Sequence, residues 1–146
     1  MGKTILALIT FSMCLLGTVI YADNKTDGQA DNSNFYFLNG LINSKIGYYA
    51  AAIKDYTKAI ELDPKDVDAY AQRGFAKNNL YEYTGAVQDY TKAIELDPKF
   101  ADVYYTRGCV KSELKDKTGA LEDLSKAGEL GYTDAYKEIK RIHGTK

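Results

Sequence analysis

The sequence predicts an all-helical protein that is folded as a solenoid of stacked helical hairpins. The segment DYTKAIELDPK at residues 55–65 returns without a change at residues 89–99, which places its two copies 34 residues apart. A fixed period of this length is typical of arrays in which each unit cannot bury its own apolar face and stacks on its neighbours. We therefore expect the functional residues to lie on a surface of the array.

Three units of this period cover residues 33–66, 67–100 and 101–134. In each unit the apolar residues recur at intervals of three and four, which predicts two amphipathic helices per unit. A Tyr, a Gly and two Ala keep their places in all three units: Tyr36, Tyr70 and Tyr104; Gly40, Gly74 and Gly108; Ala52, Ala86 and Ala120; Ala59, Ala93 and Ala127.

These repeated positions resemble those of the tetratricopeptide repeat family. The matching pattern is a large aromatic residue, a small residue four positions later, two Ala seven positions apart, and Pro64 or Pro98 near the end of the unit. The resemblance extends over residues 33–134. It implies a right-handed superhelical solenoid of three helix-turn-helix repeats, and a non-enzymatic protein that works through protein–protein contact.

The repeated Gly residues lie in the middle of predicted helices, where Gly costs about 1 kcal/mol relative to Ala. At a fixed period they predict points of close helix contact, because helices approach to about 8 Å only where side chains are small. We expect Ala52, Ala86 and Ala120 to supply the facing surface. The joints between repeats fall at the two Asp-Pro pairs, since Pro disfavours helical geometry in the residue before it.

The third unit departs from the pattern at its end, where Gly-Tyr replaces Asp-Pro. Beyond it, residues 133–142 predict a seventh helix with Tyr136, Ile139 and Ile142 on one side and charged residues elsewhere. Such a helix would keep the apolar face of the last repeat from water. We assign residues 135–146 to this capping helix and a short tail.

The chain begins with the layout of a secretory signal peptide at residues 1–22. Residues 5–22 contain no charge, whereas residues 23–32 are polar and rich in turn formers, so we expect the latter to be a disordered spacer. Cleavage would give a periplasmic or secreted protein. An uncleaved membrane anchor is the alternative, because about 18 uncharged residues are just enough to span a bilayer. Met13 disfavours a lipid anchor on Cys14, because lipoprotein signals generally carry a small residue there.

Charge and residue inventory exclude several classes of function. Removing residues 1–22 takes away one of the 19 basic residues and none of the 20 acidic ones, which leaves a net charge of −2. With charges of both signs interspersed, we expect no nucleic-acid partner. Cys109 is then the only Cys, and a half-buried apolar role suits it better than a bridge to another chain. The single His143 lies in the tail, so we expect no catalytic residue, metal or cofactor.

Arg and Asp also recur at the repeat period. Arg73 and Arg107 each precede a mid-helix Gly. Asp55, Asp89 and Asp123 recur on the second helices. Internal ion pairs that brace adjacent helices are one interpretation, and a ligand-facing row of Arg is the other. Asn39 takes the place of Arg in the first unit, which favours the internal role.

The family resemblance implies a concave groove lined by the first helix of each unit. Family members that grip the carboxyl end of a chaperone tail use Lys, Asn and Arg there, and this clamp is missing from the chain. The aromatic strip of Phe37, Phe75 and Tyr105, with a polar to acidic rim, suits a peptide segment that carries an apolar anchor and a basic neighbour. The alternative is that these aromatic residues only fill the core between repeats. We expect an exported scaffold that binds a protein or peptide in this groove; a membrane-tethered assembly or envelope-maintenance factor is the alternative. The predicted partner-binding residues are Phe37, Leu41, Gln72, Phe75, Asn78, Tyr105 and Thr106.

Overall fold

The computed structural model describes residues 32–144, and this part of the chain is all-helical. The predicted signal peptide at residues 1–22 and most of the predicted spacer lie outside the described residues, so both assignments stay predictions. The helices are α1 (Ser33–Lys45), α2 (Tyr49–Leu62), α3 (Val67–Asn79), α4 (Tyr83–Leu96), α5 (Ala101–Glu113), α6 (Lys117–Glu129) and α7 (Ala135–Gly144).

Consecutive helices pack against one another along the whole described part. α1 with α2, α3 with α4, and α5 with α6 form three hairpins, and the second helix of each hairpin packs on the first helix of the next. α7 packs on α6 and reaches α5. The predicted fold class, a helical solenoid with a terminal capping helix, is confirmed.

Short polar side chains set where several helices begin. Asn32, Asp66 and Asp116 cap α1, α3 and α6, because each side chain accepts a hydrogen bond of 2.9–3.0 Å from a backbone N–H two or three residues later. At the two Asp-Pro joints, Asp63 and Asp97 accept from the backbone N–H two residues on, at 3.0 and 2.9 Å. These turns stop one repeat and start the next.

The turn inside each hairpin requires left-handed backbone at one fixed place. The φ angle is 84° at Gly47, 61° at Tyr81 and 66° at Lys115, and these residues are 34 positions apart. Only Gly adopts this conformation without a steric cost. The second and third hairpins therefore carry a local strain that the first one lacks.

The repeated Gly residues make room for a large side chain of the same hairpin. A Cβ atom on Gly74 would lie 2.8 Å from Cε1 of Tyr90, and one on Gly40 would lie 2.5 Å from Cε1 of Tyr56. In the third hairpin the first contact of Gly108 is Leu124, at 2.9 Å. The nearest neighbour of each Gly is thus the residue 16 positions later and not the predicted Ala. In the third hairpin the predicted Ala is nevertheless close, because the backbone oxygen of Ala120 would lie 3.1 Å from a Cβ atom on Gly108.

The seventh helix covers the end of the array. Ala135 and Ile142 are buried in one cluster with Ala120, Leu124 and Ala127 of α6. This confirms the predicted cap and explains why α6 can end the solenoid without an exposed apolar face.

Candidate functional site

The repeated Arg and Asp residues form buried braces. Arg73 donates from Nε and Nη2 to the carboxylate of Asp89, at 2.9 and 2.6 Å. Its Nη1 donates to the Thr57 hydroxyl of the preceding repeat, at 3.1 Å, and Lys77 Nζ lies 2.8 Å from the same carboxylate. Asp89 is thus held by two cations of its own hairpin, and Arg73 also joins that hairpin to the one before it.

The third repeat copies this arrangement and the first one simplifies it. Arg107 and Lys111 hold Asp123, and Arg107 Nη1 donates to the Thr91 hydroxyl at 2.9 Å. In the first repeat Asn43 donates to Asp55 at 2.7 Å instead. The predicted internal ion pairs are confirmed. Because the guanidinium donors point to these partners, the Arg residues act as braces and do not form a row that faces a ligand.

Two adjoining pockets open on the side of the solenoid formed by the first helices, and together we call them the groove. The α3–α5 pocket has a volume of about 330 Å³ and the α1–α3 pocket about 570 Å³. Gln72 and Phe75 of α3 line both of them. The α3–α5 pocket is further lined by Ala71, Tyr90, Phe100, Asp102, Val103 and Thr106, and the α1–α3 pocket by Leu41, Ile42, Ser44, Lys45 and Tyr49.

Phe75 is the central aromatic residue of the groove. Its side chain is 42% exposed, although it contacts the edge of the Tyr49 ring with 6.3 Å between ring centroids. An aromatic ring that is held in place yet open to solvent can anchor a ligand at a small cost in conformational entropy.

The structure brings four of the seven predicted binding residues together in the groove: Leu41, Gln72, Phe75 and Thr106. Phe37 and Tyr105 line neither pocket. The Phe37 ring packs 5.9 Å from the ring of Tyr56, and Tyr105 stacks on Tyr132 at 4.5 Å.

Of the three aromatic residues predicted to form a strip along successive units, only Phe75 lines the groove. Phe37 and Tyr105 share one repeat position, which is occupied in α3 by Ala71. Phe75 lies four residues beyond that position, on the part of the helix that stays open. Asn78, the remaining predicted residue, is half-buried and lines neither pocket.

Three aromatic residues of the groove were not predicted: Tyr49, Tyr90 and Phe100. Phe100 could have been found by aligning the repeats, because it takes the place of the helix-capping Asp66. Aligning the repeats could not have identified Tyr90, because the equivalent residue of the first repeat, Tyr56, is also a Tyr and lies in the core.

The hydroxyl of Tyr90 is a buried polar atom without a hydrogen-bond partner among the described residues. Burial raises the pKa of Tyr90 above its ordinary value, and the nearby Thr106 hydroxyl offsets only part of that shift, in a contact that falls short of a hydrogen bond. The Tyr56 hydroxyl is likewise buried without a hydrogen-bond partner among the described residues, and burial raises the pKa of Tyr56 to about 12.

The two pockets differ in charge. Asp102 lines the α3–α5 pocket and Lys45 lines the α1–α3 pocket, and both side chains are exposed. Neither takes part in the ion pairs found within residues 32–144. Lys45 is the one cation that lines the groove, so the groove cannot form a multi-cation clamp around an acidic tail.

Other kinds of site receive no support within residues 32–144. That part of the chain has no group of three or more His, Cys, Asp or Glu side chains placed to hold a metal ion. None of its helices is long and apolar enough to cross a membrane. Cys109 is half-buried, and burial raises the pKa of its thiol, which keeps the sulfur in its less reactive protonated form.

The comparison with protein families agrees with this architecture. A family model for the TPR repeat, the tetratricopeptide repeat, matches residues 40–80 and 82–115, which together make up just over half of the chain. The chain belongs to the tetratricopeptide repeat family. No curated protein sequence matches it.

Several solved structures are similar to this fold. MamA aligns with a TM-score of 0.77 and 26% identity, over 87% of this chain and 72% of that chain. The first TPR of Spaghetti (RPAP3), bound to the HSP90 peptide SRMEEVD, aligns with a TM-score of 0.74 and 25% identity, over 77% and 90%. The TPR2B domain of yeast Sti1, in complex with pHsp70, aligns with a TM-score of 0.68 and 28% identity, over 75% and 91%.

Proposed function

We propose that the chain is an exported protein-interaction scaffold that binds an extended peptide segment of a partner protein in the groove. The observation that carries this proposal is the pair of adjoining pockets that share Gln72 and Phe75 on the middle helix α3. A peptide that crosses α3 can contact both pockets at once. Peptide binding by the Spaghetti (RPAP3) domain, which has a similar fold, supports the same class of function.

The chemistry of the α3–α5 pocket indicates the kind of segment it accepts. Phe75, Phe100 and Val103 offer an apolar surface for a large aliphatic or aromatic anchor. Asp102 lies at the same pocket without an ion-pair partner, so a Lys or Arg next to the anchor gains a favourable charge interaction.

This chemistry differs from that of an acidic chaperone tail. The peptide SRMEEVD, which is bound by the Spaghetti (RPAP3) domain, has three carboxylate side chains in its last four residues. Asp102 would repel such a tail, and Lys45 alone offers a single opposite charge. We therefore expect the partner segment to be apolar and basic.

Selection from a random peptide library on the immobilised protein tests the proposal. The expected result is enrichment of an aromatic or large aliphatic residue flanked by Lys or Arg. Charge reversal with Asp102→Lys should shift the selected sequences from basic to acidic flanks, and SRMEEVD serves as the probe that the unaltered groove should reject. Selection of acidic carboxyl termini by the unaltered protein, or no selection at all, would contradict the proposal.

Export is a separate part of the proposal and rests on residues 1–22. Expression of the full chain with an N-terminal signal of this layout should give a mature protein that begins near Asp23. Intact mass of the purified protein measures the cleavage site directly. A membrane-bound protein that keeps residues 1–22 would instead support a tethered assembly or envelope-maintenance factor with the repeats as its docking module.

A further inference from the structure

The first repeat exposes apolar side chains at two positions that are buried in both other repeats. Phe35 and Ile42 lie seven residues apart on α1, so they share one face of that helix. The second and third repeats serve as internal controls, because their first helices carry equivalent residues 34 and 68 positions later. The exposed fractions are 46% and 59% for Phe35 and Ile42, 0% and 0% for Ala69 and Ala76, and 3% and 2% for Val103 and Val110.

The controls show what normally covers these positions. Ala69 is buried in one cluster with Ala59 and Ile60 of α2, and Ala76 in another with Ala52 and Tyr56 of the same helix. In the third repeat the covering residues come from α4. The covering element is thus always the second helix of the preceding repeat, and no described helix precedes α1.

The residues on α1 also differ in size from their equivalents. Ala and Val stand where a neighbouring helix approaches, whereas α1 carries Phe35 and Ile42 with Leu38, which is 56% exposed, between them. Single apolar residues on a surface are common, but three on one helix face form a patch of the kind that marks an interface. We call Phe35, Leu38 and Ile42 the stacking face.

Within residues 32–144, the α1 end of the array has this open face and the other end does not. At the other end α7 covers α6, with Ala135 and Ile142 buried against Leu124. A second copy therefore cannot add its first repeat to the last repeat of another copy without displacing α7. The remaining arrangement joins two stacking faces about a two-fold axis, which closes the assembly at two copies.

Charge also favours pairing between copies. In a two-fold interface each patch meets its own copy, so a charged patch would repel itself. α1 carries no acidic residue, and its one Lys or Arg is Lys45, the last residue of the helix. When two copies of α1 cross antiparallel, their Lys45 side chains lie at opposite ends of the contact.

We propose that two copies of this chain form a dimer through their stacking faces. Each copy covers, on the other, the face that the second helix of a preceding repeat covers in α3 and α5. Ile42 also lines the α1–α3 pocket, so the dimer borders the groove on that side. The α3–α5 pocket contains no residue of the stacking face, so this pocket is available for peptide binding in both copies.

Sedimentation velocity and multi-angle light scattering of the purified chain test the dimer over a range of concentrations. Phe35→Glu is the informative variant, because Phe35 lines neither pocket of the groove. We expect a concentration-dependent dimer whose dissociation constant rises at least about 100-fold in the variant, since the two-fold axis places two buried carboxylates at one interface. Ile42→Glu should act in the same direction. Leu114→Glu, which alters an apolar side chain that is 44% exposed at the end of α5, is the matched control and should change the constant less than about threefold.

Each other outcome overturns the proposal. A chain that stays monomeric at every concentration contradicts the dimer. If the chain is monomeric and Phe35→Glu lowers the melting temperature much more than Leu114→Glu does, residues 1–31 cover the stacking face instead. If the chain is monomeric and the two variants have similar melting temperatures, the stacking face binds a different protein. An oligomer that Phe35→Glu and Ile42→Glu both leave intact uses another surface. Circular dichroism confirms that each variant keeps its helical content.

Discussion

Removal of the buried carboxylate of Asp123 is the sharpest test of how the repeats are held together. This carboxylate accepts hydrogen bonds from Nε and Nη2 of Arg107 at 2.8 and 2.7 Å, and Lys111 Nζ lies 2.9 Å away. Asp123→Ala deletes all three contacts and leaves two cations without an acid. The bond from Arg107 to the Thr91 hydroxyl then has no carboxylate to fix the guanidinium.

The expected loss follows from the burial of the group. Breaking a buried ion pair by removing one partner typically costs about 3–5 kcal/mol. The side chains of Arg107 and Lys111 are 13% and 20% exposed, so both can turn partly toward water. We therefore expect a loss of about 2–3 kcal/mol in the free energy of unfolding. For a domain of this size that corresponds to a fall of roughly 6–15 °C in melting temperature.

Urea unfolding monitored by circular dichroism measures this loss. Glu122→Ala is the matched control, because Glu122 is the preceding residue and its carboxylate is exposed; it should cost less than about 0.5 kcal/mol. Arg107→Leu should be milder than Asp123→Ala, since Lys111 still neutralises Asp123. Equal stabilities for Asp123→Ala and Glu122→Ala would refute the brace.

Three further predictions concern stability. Lys115→Gly should raise the free energy of unfolding by about 0.5–1 kcal/mol, measured by urea titration, because a φ of 66° strains any residue with a Cβ atom. Stability should be constant up to about pH 10 and fall toward pH 12, because burial raises the pKa of Tyr56 from 10.0 to about 12 and the unfolded phenol ionises first. Urea midpoints across this range measure the fall, which Tyr56→Phe should reduce. Deleting the chain from Thr133 onward should lower the melting temperature and cause aggregation by uncovering Leu124; an unchanged melting temperature would contradict the cap.

Most of the fold could be predicted from the sequence because the same local pattern occurs more than once. Each helical stripe was supported by its copy 34 residues away, and the two Asp-Pro joints marked where one repeat ends. The partner of each mid-helix Gly could not be predicted in the same way. Which residue faces Gly74 depends on the offset between two helices of a hairpin, and only the structure shows that Tyr90 fills that place.

The groove was harder to predict than the fold. Helical spacing tells which residues share a face, but the curvature of the array decides which of those faces stays open. Phe75 was predicted as part of the groove and lines both pockets, whereas Tyr105 was predicted on the same grounds and stacks on Tyr132 from the turn before α7. That stacking partner takes the place of Pro64 and Pro98, so the other two repeats could not indicate it.

The central claim is that the groove across α3 binds the partner, and Phe75→Ala tests it most directly. Loss of an aromatic anchor at an interface can cost 2 kcal/mol or more, whereas a residue outside the contact costs about nothing. Tyr81→Ala is the matched control, because Tyr81 is an aromatic residue that is 79% exposed at the α3–α4 turn and lines neither pocket.

The decisive comparison is isothermal titration calorimetry with the tightest-binding peptide from the library selection. The peptide is titrated into the unaltered protein, Phe75→Ala and Tyr81→Ala. We predict that Phe75→Ala weakens binding at least about tenfold, which is about 1.4 kcal/mol, with unchanged helical content, and that Tyr81→Ala leaves the dissociation constant within about twofold. Unchanged affinity in Phe75→Ala, or a larger loss in Tyr81→Ala, would contradict the account and place the binding surface outside the groove.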